Sequence, residues 1–167
     1  MTIETVYLAG GCYWGLEDLL RKIPGVVETA VGFSGGHVKN VCYREVSTGT
    51  SGHTETVKVI FDTDILSFTD LLVFFFKIHD PTTPNQQGND IGTQYRSAIF
   101  VTTNEQVFLA EDLIKKIDAS GVLRHKIITE VNTFNSFFPA EENHQKYLEK
   151  YPDGYTCHFI RDINFTR

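Results

Sequence analysis

Cysteine is scarce in this chain of 167 residues: Cys12, Cys42 and Cys157 are the whole supply. Three scattered thiols exclude the disulfide framework of a small secreted fold. No two of them form a C-x-x-C pair, which argues against structural zinc. Surplus positive charge is also missing. Lys and Arg number 15 against 21 Asp and Glu, for a net charge of −6. Nucleic acids and anionic membranes are bound through clustered Lys and Arg, so neither is an expected partner. No run approaches the ~20 apolar residues of a membrane span. The opening stretch, "MTIETVYLAGG", has neither the basic n-region nor the long apolar h-region of a secretory leader. These absences together predict a cytoplasmic protein. Repeats, low-complexity segments and domain linkers are absent as well.

What is present is an ordinary globular composition, 41% hydrophobic and 22% charged, in a chain long enough for one domain with a real core. A single catalytic domain over 1–167 is expected. Thr5 to Ala9 reads as a buried strand, and Gly10-Gly11 punctuate it. Trp14, Leu16, Leu19, Leu20 and Ile23 then recur at helical spacing until Pro24-Gly25. Val26 to Phe33 and Thr54 to Phe61 read as strands, the latter with Val57, Val59 and Phe61 on one face. Ser67 with Asp70 has the form of a capping box ahead of a helix carrying Phe68, Leu71, Leu72 and Phe75.

His79 to Tyr95 is a long polar loop, of a length usually tied to function or mobility. Ser97 to Thr102 is a strand, and Asn104 is placed to cap the next helix. Ile127 to Val131 is a short strand, and Glu141 to Tyr151 a last, polar helix. From Pro152 the tail is irregular. This mixed order predicts an α+β domain with helices on a mixed sheet.

The chemistry starts at "AGGCYWGLEDLL", Ala9 to Leu20. A strand, two glycines and a helix place Cys12 at a helix N-terminus. Unpaired N–H groups and the positive dipole end favour an anion there. A free thiol with pKa about 8.5 is mostly protonated near neutrality, and helix N-termini lower that value. The bland alternative is a small buried hydrophobe, which most lone cysteines are. Tyr13 and the only tryptophan, Trp14, tilt the balance, because an aromatic pair beside a thiol can hold a methyl bound to sulfur.

Five ordered blocks then carry a resemblance. "GGCYWG", "GFSGG" (Gly32 to Gly36), "YREVSTGTSGHTETVKVIFD" (Tyr43 to Asp62), "HDPTTPNQQGNDIGTQYRSAIF" (His79 to Phe100) and "FPAEENHQKYL" (Phe138 to Leu148) resemble the signatures of the A-class peptide methionine sulfoxide reductases. The resemblance implies a two-layer α/β sandwich with a ferredoxin-like core. It implies reduction of the S-epimer of methionine sulfoxide, free or in oxidised proteins, to methionine, one enzyme serving each epimer. Cys12 matches the nucleophile, Tyr13 and Trp14 the methyl-holding pair, and Glu55 the acid. Tyr43 and Tyr95 match the tyrosines on the sulfoxide oxygen, and Asp90 an orienting aspartate. Cys157 matches a resolving cysteine on a mobile tail, 152–167. No metal or organic cofactor is implied; thioredoxin or another dithiol is the implied reductant, and a monomer the default state.

The chemistry suits these residues. A sulfoxide oxygen leaves only after gaining a proton, which a carboxylic acid can supply. A carboxylate would oppose a thiolate beside it, so the productive pair is thiolate with neutral Glu55. Tyrosines donate hydrogen bonds without adding charge. Sulfenic acid on Cys12 then condenses with a second thiol. Taken singly, Glu55 reads as a solvated strand-start charge, Tyr43 and Tyr95 as core tyrosines, and Asp90 as a turn residue. His53, His79 and His144 fit no compact metal pattern and read as structural. Cys42 reads as a spectator thiol. Competing readings are a thiol peroxidase, an acyl-transferring hydrolase with a His base, and a small interaction domain.

Overall fold

The computed structural model describes residues 2–36, 42–49, 51–163 and 165. Its main sheet has the order β7-β6-β1-β3-β2-β8, built from β1 (Ile3–Gly10), β2 (Val26–Ser34), β3 (Thr54–Asp62), β6 (Ser97–Val101), β7 (Glu130–Thr133) and β8 (Phe138–Pro139). All neighbours are antiparallel except β6 and β7, which are parallel. The helices are α1 (Tyr13–Leu20), α2 (Tyr43–Val46), α3 (Phe68–Ile78), α4 (Asn104–Ser120) and α5 (Tyr147–Lys150). The long polar loop folds back on itself through a two-stranded hairpin, β4 (Gln86–Gln87) and β5 (Asp90–Ile91), and then a 3₁₀ turn over Thr93–Tyr95.

Alternation along the strands makes the layers. Val6 and Leu8 of β1 join Val57, Val59 and Phe61 of β3 in the main core, together with Leu16 and Leu20 of α1, Leu71, Leu72 and Phe75 of α3, and Ile117 of α4. Tyr7 and Ala9 point to the opposite face, where Tyr7 stacks on Phe134 at 4.1 Å between ring centroids. This is the mixed sheet with helices on it that the order of elements predicts, in the two-layer sandwich that the resemblance implies. Ser67 caps α3 as expected, its side chain accepting from Asp70 N–H at 3.0 Å.

Three local expectations change. The cap of α4 is Thr103, whose side chain accepts from Gln106 N–H, and Asn104 is the first helical residue. The strand expected over Ile127 to Val131 starts later, at Glu130: Ile127 is bonded to Asp118 and Ile128 to Pro81 before pairing with β6 begins. The last helix is not continuous. A 3₁₀ turn over Glu142–His144 and the short α5 are separated by Lys146, which has φ 51°. Tertiary bonds hold that break. Gln145 bonds the backbone of Val31 at both its amide atoms, and buried Glu17 of α1 accepts from Lys146 N–H at 2.7 Å. A polar, periodic stretch does not disclose bonds to such distant partners.

Candidate active site

Sheet register gathers the site. Leu8 of β1 lies opposite Val57 of β3, so two residues further along each strand Gly10 is level with Glu55. Glu55 shares the face of Val57, Val59 and Phe61 and so points into the helix layer. Gly10 is paired on its other side with Ser97, two residues after Tyr95. The end of β1 thus brings Cys12, Glu55 and Tyr95 to one edge of the core. Gly11 makes the turn: its φ is +96°, and a Cβ there would come within 2.7 Å of Gln87. Glycine alone tolerates both conditions.

Cys12 is the N-cap residue of α1 and is only 8% exposed. Its thiol is pushed upward, first by burial and then by the Glu55 carboxylate, with Asp90 adding to this. The N–H groups of Trp14 and Gly15 pull the other way. The expected activation by the helix end is therefore real in sign but outweighed, because burial penalises the thiolate more than two N–H groups favour it. Glu55 is raised to about 8, chiefly by burial, against the hydrogen bond it accepts from Tyr13 N–H at 3.1 Å. Its other oxygen, Oε2, is buried without a partner among the described residues. At neutral pH both groups hold their protons.

Tyr43 and Tyr95 are half-buried and hydrogen-bonded to each other. Both hydroxyls are pushed up by burial and then by Glu55, so they stay protonated. Tyr13 is fully buried against Phe33, Tyr43 and His144, and its hydroxyl has no partner among the described residues. Trp14 is half-buried, donates from Nε1 to His144 Nδ1 at 3.0 Å and stacks on Tyr147 with centroids 3.9 Å apart.

Asp90 and Cys157 lie together on a second side of this site. Cys157 Sγ is 3.7 Å from Asp90 Oδ2, which also accepts from Tyr155 hydroxyl at 3.2 Å. The tail is docked in this conformation. His158 bonds Gly10, and Arg161 bonds the carbonyls of Phe76, Lys77 and His79. Cys12, Cys42 and Cys157 are all free thiols. Cys42 contacts Glu45 at 3.3 Å, in keeping with a spectator. A cleft of about 250 Å³ opens beside Cys157, with Gly88, Phe159 and Arg161 in its walls. Residues missed in the sequence are His158, Glu17 and Arg161. Only His158 carried a signal, its place directly after Cys157.

A family model for peptide methionine sulfoxide reductase matches residues 4–166. The chain belongs to that family. Relatives include MsrA 1 of Mesorhizobium japonicum, 53% identical over 95% of this chain and 90% of that protein, and MsrA of Mycobacterium ulcerans, 54% identical over the same shares. Among solved structures, Mxr1 of Saccharomyces cerevisiae in reduced form superposes with a TM-score of 0.88 at 36% identity, covering 96% of this chain and 93% of that one. MsrA of Corynebacterium diphtheriae gives 0.82 at 42%, covering 93% and 78%. The sulfoxide reductase fold is therefore the fold of this chain.

Proposed function

We propose that this protein reduces the S-epimer of methionine sulfoxide to methionine. The observation that carries the reading is the buried meeting of the Cys12 thiol with a Glu55 that keeps its proton to about pH 8, faced by two paired tyrosine hydroxyls. A sulfoxide oxygen entering there meets Glu55 as acid and Tyr43 and Tyr95 as uncharged donors. Protonated oxygen makes the substrate sulfur electrophilic; the positive charge developing there favours the Cys12 thiolate, and the thiol proton that burial otherwise retains passes to the Glu55 carboxylate left by the first transfer. Half-buried Trp14 meets the substrate methyl, and Tyr13 packs beneath the site against Tyr43 and His144. Oxygen passes from the substrate sulfur to Cys12, leaving methionine and a Cys12 sulfenic acid.

Cys157 then resolves the sulfenic acid as a disulfide, water leaves, and an external dithiol reduces the disulfide by exchange. Cys12 and Cys157 are separate free thiols here, so their sulfurs must come together for the disulfide to form. In keeping with such a change, the likeness to yeast Mxr1 falls from a TM-score of 0.88 for the reduced form to 0.66 for an oxidised form. Mxr1 has also been solved in complex with Trx2, which supports thioredoxin as the reductant. The cleft beside Cys157 is the natural point of approach. Asp90 orients this second side of the site. Repair of oxidised proteins in the cytoplasm is the corresponding cellular role.

The hydrolase reading loses its base. His79 bonds Phe75 and Ser97, His144 accepts from Trp14, and His158 bonds Gly10 and faces Cys157; among the described residues no hydrogen bond joins any of these rings to the Cys12 thiol. A coupled assay with thioredoxin, its reductase and NADPH tests the proposal. NADPH is expected to be consumed with the S-epimer alone. Consumption with the R-epimer, or with peroxide in place of sulfoxide, would move the protein to another class.

A further inference from the structure

One buried imidazole takes no part in the steps above. His158 is 8% exposed and follows Cys157 in the tail. Its Nε2 lies 2.6 Å from the carbonyl oxygen of Gly10. A carbonyl only accepts, so Nε2 carries the hydrogen. Burial keeps the ring neutral, and its lone pair then resides on Nδ1. That atom is 3.9 Å from Cys157 Sγ. It also faces the first turn of α1, since a Cβ on Gly15 would come within 2.6 Å of it. The ring therefore sits between the resolving thiol and the strand end and helix start that flank Cys12.

We infer that His158 is the base that takes the proton of Cys157 during resolution. The inference rests on the proposed reaction and specifies its second half. Attack on a sulfenic acid needs a thiolate, and Cys157 is pushed upward by burial and then by Asp90. Its proton passes from Sγ to Nδ1. The Cys157 sulfur bonds the Cys12 sulfur, the S–O bond of the sulfenic acid breaks, and the departing hydroxide takes the proton from the imidazolium to leave as water. Cys157 is oxidised from thiol to disulfide and the Cys12 sulfur is reduced from sulfenic acid to disulfide, so no further reagent enters. Gly10 fixes the tautomer, the part a third group plays wherever a base activates a nucleophile. The rival acceptor is Asp90, 3.7 Å from Sγ. A carboxylate is intrinsically a weaker base than imidazole by about 2–3 pKa units; burial of His158 narrows that margin, but the Asp90 oxygen is also engaged by Tyr155 whereas Nδ1 of His158 faces the thiol.

His158→Gln is the test variant, because its amide nitrogen can reach the Gly10 carbonyl while the Nδ1 lone pair is lost. The full-length protein is given excess methionine sulfoxide without reductant. Methionine release, a dimedone-type label on Cys12 sulfenic acid, and loss of the Cys157 thiol are followed together. The disulfide is expected to form about 10²-fold more slowly, with sulfenic acid accumulating. Imidazole added to His158→Gly is expected to restore part of the rate. The groups that bear on His158 are the Cys157 thiol, Asp90 of β5 and His79 after α3. Against that background the wild-type rate should level off above the His158 titration, while in His158→Gln it should climb with pH into the thiol range. Disulfide formation at the wild-type rate, or an unchanged pH profile, overturns the inference. So does loss of the methionine burst in the variant, which would place His158 in the first step or in folding. Absence of a burst in the wild type is a different failure and would overturn the reaction beneath it.

Discussion

The Tyr13 hydroxyl is buried, unpartnered and set among groups that stay protonated. Leaving such a group without a partner costs about 1–3 kcal/mol. Tyr13→Phe keeps the ring against Phe33 and Tyr43 and removes only that hydroxyl, so a stability gain of that order is expected in urea unfolding. A loss would reveal a hydroxyl partner, such as an ordered water. The three thiols make a second residue-scale prediction. Cys157→Ser should release about one methionine per enzyme and then stall, whereas Cys42→Ser should keep thioredoxin-driven turnover. Recycling that fails in Cys42→Ser would transfer the resolving role. At this scale Cys12, Glu55, Tyr43 and Tyr95 were legible in ordered motifs, and the structure brings them together. The balance of forces on Cys12 was not. A helix end is visible in sequence, but the burial that outweighs it depends on what packs over the thiol.

At the scale of elements, α1 and the tail form one unit. Ordinarily Gly→Ala inside a helix stabilises it by roughly 0.5–1 kcal/mol. At Gly15 the new Cβ would lie 2.2 Å from Thr156 Oγ1 and 2.6 Å from His158 Nδ1. Gly15→Ala is therefore expected to push the tail off α1, slowing thioredoxin-driven turnover several-fold more than the single-turnover methionine burst. Equal effects on both would mean that the tail has no separate part in recycling. The strand β3 and the helices α1, α3 and α4 were readable from periodicity, and β1, β2 and β6 from short apolar runs between turn signals, since β6 is buried throughout and β1 along its second half. The break at Lys146 was not. It is held by Glu17 and Gln145 bonding across to other elements, and no local pattern encodes such bonds.

For the whole molecule, two buried groups shape stability against pH. Glu55 rises from an ordinary 4.5 to about 8 on folding. Between those values the folded state holds a proton that the unfolded chain has lost, so stability falls as pH rises through that window. His79 drops from 6.5 to about 3, chiefly by burial. The unfolded chain binds the extra proton between those values, so this contribution is lost as pH falls below about 6.5. Glu55→Gln should therefore gain melting temperature over the wild type progressively from pH 5 to pH 8, while its methionine burst slows roughly 10²–10⁴-fold for want of an acid. A stability difference that stays flat with pH would show that Glu55 is not held protonated in the fold. By itself the sequence determined the layers, the family and the reactive residue types, because periodic burial and ordered motifs are local in the chain. Only the tertiary structure decided their working state. It set the register that places Glu55 beside Cys12, the burial that keeps both protonated, and the docking of His158 on Gly10 beside Cys157. Each of those depends on groups far apart in sequence sharing one low-dielectric space.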